Sequence, residues 1–254
     1  MVLPRILTEG SQKVRRLKRK VDRSLRRRSI AGTLKFIILN LGSVLTALGS
    51  SRKSVQSVPS EYDRKYNVDT SGQIHLSDLD IASPNSAFGN SYEPSPPKII
   101  IEMISALGIR YEDYTFIDIG SGKGLVLLIA SNYPFRKIVG VEFSSELHAI
   151  AIQNLRNYTN PEQKCKNIDL VLKDATEYVI PNDPIVLYMF NPFNEKVLRT
   201  VVTKIRESIR ISPRPVFILY KNPIARGLFE SDNLVKIISR CKEYAVYNFQ
   251  GTEV

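Results

Sequence analysis

From Pro97 onward, the apolar residues fall into short runs separated by polar turns and by stretches of helical spacing. The runs predict strands near 115–119, 137–142, 168–173, 184–190 and 214–220. The intervening patterns predict helices over 123–132, 145–158 and 194–210, with another over 98–107 leading in. Residues 233–240 and 244–250 predict a closing antiparallel hairpin, although Lys236-Ile-Ile238 could equally end a helix. Strands alternating with helices build a doubly wound, mostly parallel sheet, so the expected class is α/β with seven strands. Ligands of such sheets bind beyond the carboxyl ends of the strands.

The chain before Pro97 is different. Residues 49–60 read as a linker, and 61–97 are polar and turn-rich without periodicity. That second stretch still carries Tyr62, Tyr66, Phe88 and Tyr92, and scattered aromatics argue against disorder. It is expected either to cap a ligand mouth and reach toward a substrate, or to wrap the domain structurally. Further upstream, Val14, Leu17, Val21 and Leu25 form an apolar stripe on the basic run 13–28. Residues 34–48 are apolar but interrupted by Lys35, Asn40 and Gly42, and fall short of the roughly 20 residues that span a bilayer. The organisation expected is a basic amphipathic extension over 1–53, a linker and cap over 54–97, and a ligand-binding domain over 98–254.

Charge sharpens that division. Residues 1–53 hold 14 of the 36 basic and two of the 25 acidic residues, leaving 22 basic and 23 acidic for the remainder. The net charge of +11 therefore belongs to the extension and says nothing of the domain's substrate. For the extension, three readings stand: a helix packed on the domain or a partner, a peripheral helix on an anionic membrane, or a nucleic-acid-binding arm. Two distant cysteines and two histidines, without metal-ligand spacing, point to no metal and to a reducing, cytoplasmic setting.

The chemistry concentrates at Phe116-Ile-Asp-Ile-Gly-Ser-Gly-Lys-Gly124. Glycines at alternate positions after a strand let a ligand sit against bare backbone, and a turn that opens a helix is expected to present free N–H groups. A phosphate-cradling P-loop would need Gly where Ile117 stands and Ser or Thr where Gly124 stands. The dinucleotide fingerprint would need Gly at Leu125. What remains has an acid, Asp118, on the strand before the turn. A carboxylate there repels phosphate and favours an ammonium or sulfonium. Glu142, 22 residues past Gly120, ends the second strand where an acid can take both hydroxyls of a ribose. A ribose with a cationic amino-acid tail and no phosphate describes S-adenosyl-L-methionine.

On these residues the chain resembles class I S-adenosylmethionine-dependent methyltransferases, over roughly residues 90–250. Asp118-Ile-Gly-Ser-Gly-Lys-Gly124 matches the first motif and Val139-Gly-Val-Glu142 the second. Leu172-Lys-Asp174-Ala175 matches the adenine-side motif, and Leu187-Tyr-Met-Phe-Asn191-Pro192-Phe193 the strand-four motif. The resemblance implies a Rossmann-like sheet and methyl transfer to nitrogen or oxygen. It implies cofactor binding by Asp118, Gly120, Ser121, Gly122, Gly124, Glu142, Asp174, Ala175 and the cap residue Tyr92. The first two motifs are also similar to the cofactor site of non-SET histone lysine methyltransferases.

Asn191, Pro192 and Phe193 are the expected acceptor-facing residues, similar to the Asn/Asp-Pro-Pro-aromatic motif of enzymes acting on planar nitrogens. One Pro replaces two, so adenine or glutamine specificity does not carry over. A strand-to-helix turn with Asn191 or Asn194 capping the helix explains the same residues. Asn222-Pro223, after the fifth strand, reads as a turn. The acceptor, whether protein, small molecule or nucleic acid, is left open. The alternative function is a catalytically idle cofactor-binding scaffold, tethered to membrane or nucleic acid by the basic arm.

Overall fold

Successive residues of β1 (Thr115–Ile119) point to opposite sides of the sheet and all are buried. Phe116 joins one apolar cluster, and Ile117 and Ile119 join the other. This two-sided burial is why apolar residues occupy both sides of the strand instead of alternating with polar ones, with Asp118 as the buried charged exception. In this computed structural model the described residues are 58–79, 81, 89–190 and 195–249. They belong to one compact unit, Ser57–Val254. The predicted basic helix over 13–28 and the apolar stretch 34–48 lie outside the described residues.

Seven strands form one sheet in the order β3-β2-β1-β4-β5-β7-β6. Beside β1 run β2 (Lys137–Glu142) and β4 (Ile185–Phe190), with β3 (Ile168–Leu172) and β5 (Val216–Lys221) outside them, all parallel. β7 (Tyr244–Phe249) inserts antiparallel between β5 and β6 (Val235–Arg240), which settles Lys236-Ile-Ile238 as strand. Strand order reverses between β1 and β4, the position at which doubly wound sheets open a crevice.

Helix α2 (Pro97–Ser105) and α3 (Leu125–Ala130) cover one face together with Phe116, Val186 and Phe217. On the other face α5 (Glu195–Ile211) buries Val197, Leu198, Val201, Val202, Ile205 and Ile209 against Leu187, Ile218 and Tyr247. The i, i+4, i+8 spacing of that stripe is why the segment is helical despite its many charges. Near the opposite end, α4 (Ser145–Asn157) starts on an N-cap, Ser144, whose hydroxyl accepts from the Leu147 N–H.

Several boundaries differ from expectation by one or two residues, and two of them have a clear physical reason. α3 begins at Leu125 because Gly124 sits in the left-handed region at φ 88° as its N-cap. β5 begins at Val216, since the Arg214 guanidinium just before it donates to the carbonyls of Pro181, Asp183, Ser208 and Ser212.

The stretch read as turns contains an unanticipated helix, α1 (Glu61–Tyr66). Six residues are too few to show a period. The available signal was the capping box Ser60-Glu-Tyr-Asp63, in which Ser60 Oγ accepts from the Asp63 N–H while the Asp63 carboxylate accepts from the Ser60 N–H. The Asp63 carboxylate also takes both the N–H and the hydroxyl of Thr70 and of Ser71, folding the segment back on itself.

Candidate active site

One register row explains where the site lies. Leu170, Gly140, Asp118, Tyr188 and Leu219 are lateral neighbours across β3, β2, β1, β4 and β5. Four are apolar or aromatic or lack a side chain, and Asp118 stands among them as the one carboxyl. A Cβ on Gly140 would come within 2.6 Å of Leu127 and 2.9 Å of Ser121 Oγ, so glycine is what lets α3 and the loop pack this close to β2.

Beyond the carboxyl ends of β1, β2, β4 and β5 is a cavity of about 340 Å³. Asp118, Gly120, Ser121, Gly122 and Glu142 line it from the sheet side, Tyr188, Phe190 and Asn222 from β4 and β5, and Leu79 and residues 90–95 from the chain before α2. Its charged lining residues are Glu93, Asp118 and Glu142, all acidic. Tyr92, singled out in the sequence, lies here: its ring covers the Gly122 backbone, where a Cβ would meet it at 2.4 Å, and its hydroxyl donates to the Thr70 carbonyl at 2.6 Å.

Asp118 is 2% exposed, and among the described residues no hydrogen bond to its carboxyl is found. Burial pushes its pKa well above the usual carboxylate range, and the nearby Glu142 charge adds to this. Glu142 is buried too, and burial raises its pKa, with backbone N–H groups of Ser144, Gly122 and Phe143 pulling the other way. Its Oε2 accepts from Gly122 N–H at 2.8 Å and its Oε1 from Ser144 N–H at 2.7 Å. A carboxylate offers about four lone-pair sites, so each oxygen retains capacity for a ligand hydroxyl.

The glycine loop departs from expectation. Gly120, Gly122 and Gly124 all have positive φ, as a tight turn requires. Their N–H groups, however, do not face a ligand. Gly120 and Ser121 donate to the Val141 carbonyl, Gly122 to Glu142, and Gly124 to the Ser121 carbonyl. The loop thus spends these donors on β2 and on itself, which leaves them no role as a phosphate cradle. Ser121 Oγ, by contrast, is buried in the cavity wall with no hydrogen-bond partner among the described residues.

Sequence reasoning missed the polar links that hold the chain segment before α2 to this loop. Lys123 Nζ donates to Asp69 Oδ1 and to the Ser71 carbonyl, both at 2.7 Å. Asn154 of α4 accepts from the Asp69 N–H and donates to the carbonyls of Asp69 and Lys123. Ser95 and Tyr188 share a 2.7 Å hydrogen bond between buried hydroxyls.

Gly124, Asp174 and Ala175 are not among the cavity-lining residues. Asp174 follows β3, and its Oδ1 accepts from the N–H and hydroxyl of Thr176. Gly124 is covered by Ala151 of α4. Asn191, Pro192 and Phe193 lie outside the described residues. Among the described residues no group of three or more His, Cys, Asp or Glu could hold a metal, and no helix is long and apolar enough to cross a membrane.

No family model matches the chain, and no curated protein matches it. Solved structures similar to it include an RNA methyltransferase from Salinibacter ruber in complex with S-adenosyl-L-homocysteine. That one is 18% identical, with a TM-score of 0.42, over 63% of this chain and 95% of that one. The 23S rRNA methyltransferase ErmE is 13% identical, with a TM-score of 0.43, over 62% of this chain and 68% of that one. The ribosomal protein L11 methylase of Lactobacillus delbrueckii subsp. bulgaricus is 14% identical, with a TM-score of 0.42, over 59% of this chain and 76% of that one. At these identities and TM-scores the likeness says nothing of a methyl acceptor. With the strand order β3-β2-β1-β4-β5-β7-β6, an antiparallel β7, a glycine turn ending β1 and an acid ending β2, the chain has the class I S-adenosylmethionine-dependent methyltransferase fold.

Proposed function

We propose that the protein binds S-adenosyl-L-methionine and transfers its methyl group to a nitrogen or oxygen of an acceptor. The observation that carries this reading is Asp118, a buried carboxyl without a partner among the described residues, in a cavity whose charged lining is acidic throughout. Such a group is stabilised by a cationic ligand that donates hydrogen bonds and is made worse by a phosphate.

The residues fit the cofactor part by part. Asp118 and the unpartnered Ser121 hydroxyl would take the amino-acid tail. The free lone pairs of Glu142 would take the ribose hydroxyls. Leu79, Phe143 and Leu147, which pack together beside Glu142, offer an apolar wall for the base. The cofactor, when bound, supplies an electrophilic methyl on a sulfonium. The chain's own contribution is orientation and exclusion of water, achieved by closing the cavity with Tyr92 and the segment through Ser95. Transfer would break the methyl–sulfur bond, form a methyl–nitrogen or methyl–oxygen bond and release the acceptor's proton. Asn191, Pro192 and Phe193 remain proposed on the acceptor side, and Asp174 and Ala175 on the adenine side, by resemblance alone.

Isothermal titration with S-adenosylmethionine and its demethylated product tests the site. Asp118→Ala and Glu142→Ala should each weaken binding at least tenfold, and unaltered binding in both would sink the assignment. Methyl-labelled cofactor added to a lysate, with products sorted into protein, nucleic acid and small molecules, then identifies the acceptor class.

A further inference from the structure

Two non-glycine residues have positive φ in the described structure, Asn67 at 55° and Asn222 at 50°. The first is explained by its position. Asn67 ends α1, with its N–H returned to the Asp63 carbonyl, and a left-handed residue is the ordinary way to stop a helix. Asn222 follows a strand, β5, and is one of the residues that line the cavity, as Asp118 and Glu142 also do.

Its backbone is held firmly. The Asn222 N–H donates to the Glu243 carbonyl at 2.7 Å, and its own carbonyl accepts from Ile224 N–H at 2.9 Å, around the buried Pro223. The preceding Lys221 is buried against the Phe190 ring and 3.7 Å from Glu243. The turn is therefore complete without the asparagine side chain, and glycine would adopt the same φ with less strain. What the side chain adds is an amide on an exposed residue of the cavity lining, with no hydrogen bond to it found among the described residues.

Resting on the methyl-transfer reading above, we infer that Asn222 orients the methyl acceptor, with Oδ1 taking the hydrogen of the attacking N–H or O–H. The choice of oxygen over the NH₂ follows from the chemistry of displacement. The attacking atom must aim its lone pair at the methyl carbon, and a donor placed on that lone pair would block it. An acceptor on its hydrogen leaves the lone pair free and fixes its direction. As the new bond to carbon forms and the carbon–sulfur bond breaks, the acceptor's proton passes to solvent.

Three forms of the full chain separate the possibilities: wild type, Asn222→Gly and Asn222→Asp. Each is titrated with S-adenosylmethionine, then assayed with methyl-labelled cofactor and a desalted lysate of the expression host as acceptor mixture. Both variants should bind the cofactor within twofold of wild type, because Asn222 touches the acceptor and glycine and aspartate both tolerate the φ. Asn222→Gly should lose at least tenfold in transfer rate. Asn222→Asp keeps the oxygen and should retain at least a third of the rate. It should also gain a fall in rate at acidic pH, absent from wild type, as the new carboxylate is protonated.

Transfer by Asn222→Gly within twofold of wild type would reduce the residue to a turn and overturn the inference alone. Equal losses in both variants would overturn the assignment to Oδ1. Wild-type protein that binds cofactor but labels nothing in the lysate would overturn the transferase reading, and this inference with it.

Discussion

Lys123 reaches out of the glycine loop to Asp69, its Nζ 2.7 Å from Oδ1, while a second hydrogen bond of equal length goes to the Ser71 carbonyl. The ammonium is 5% exposed and the carboxylate 62%, so the two ends of this link are not equivalent. Removing the buried end strands a carbonyl, whereas removing the exposed end mainly loses a screened charge. Lys123→Met should therefore cost about 1–3 kcal/mol, and Asp69→Asn less than about 1 kcal/mol, as read from urea unfolding. Equal costs would show that the ion pair, rather than the carbonyl contact, anchors the cap.

Tyr92 and Gly122 form a second anchor, ring against bare backbone. Gly122→Ala places a methyl 2.4 Å from the ring and also forces alanine to φ 54°, so it should destabilise by two separable mechanisms. Truncating the ring removes only the clash. The pair Gly122→Ala and Tyr92→Ala should thus cost less than the sum of the single changes by roughly 1 kcal/mol or more, measured as a double-mutant cycle. Strict additivity would mean that the ring moves aside freely.

The Ser95–Tyr188 hydroxyl pair joins the cap to β4 inside the protein. Tyr188→Phe leaves Ser95 Oγ buried without its partner and should cost about 1–3 kcal/mol. Adding Ser95→Ala should recover part of that loss, because both polar groups are then gone. A double variant as unstable as the sum of both changes would argue that packing, not the hydrogen bond, is what Tyr188→Phe disturbs.

Asp118 sets a pH dependence whose sign is fixed by its environment. Its carboxyl holds a proton to higher pH in the folded protein than in the unfolded chain. The unfolded state therefore ionises first, and the stability of the cofactor-free protein falls as pH rises from about 4 until the folded-state group has ionised. Glu142, raised in the same direction, adds to the fall. Asn at position 118 cannot ionise. Asp118→Asn should melt higher than wild type, with a gap that widens as pH rises and then levels off, at roughly 2–4 °C per kcal/mol. Saturating S-adenosylmethionine should reverse the order, because it stabilises only the form that binds it well. A gap independent of pH would contradict a buried ionisable carboxyl at this position.

Much of the architecture was legible because the signals are local. β1 reads as a strand from the short apolar run that breaks into the glycines, and α5 as a helix from its i, i+4, i+8 stripe. Asp118 and Glu142 were found from their positions relative to the glycines, and both line the cavity. α1 was passed over since its evidence was a single capping box rather than a period. The cap's links to the loop left no trace at all: Asn154 meets Asp69 across 85 residues of chain, and nothing in either neighbourhood announces the other. Asn222 looked like a turn, and its backbone is one; only its place on the cavity wall distinguishes it from Asn67.

The residue order determined which segments become strands, where the glycines permit left-handed backbone, and that an acid stands next to last in β1 and another ends β2. Those properties depend on steric freedom and apolar spacing over a few residues. The fold decided what the glycine loop does with its donors, turning most of them to Val141 and Glu142, because only the approach of β2 supplies those acceptors, and the last to the loop's own Ser121. It also decided that Asp118 is buried beside Glu142, since burial is a property of what packs around a side chain and not of the side chain.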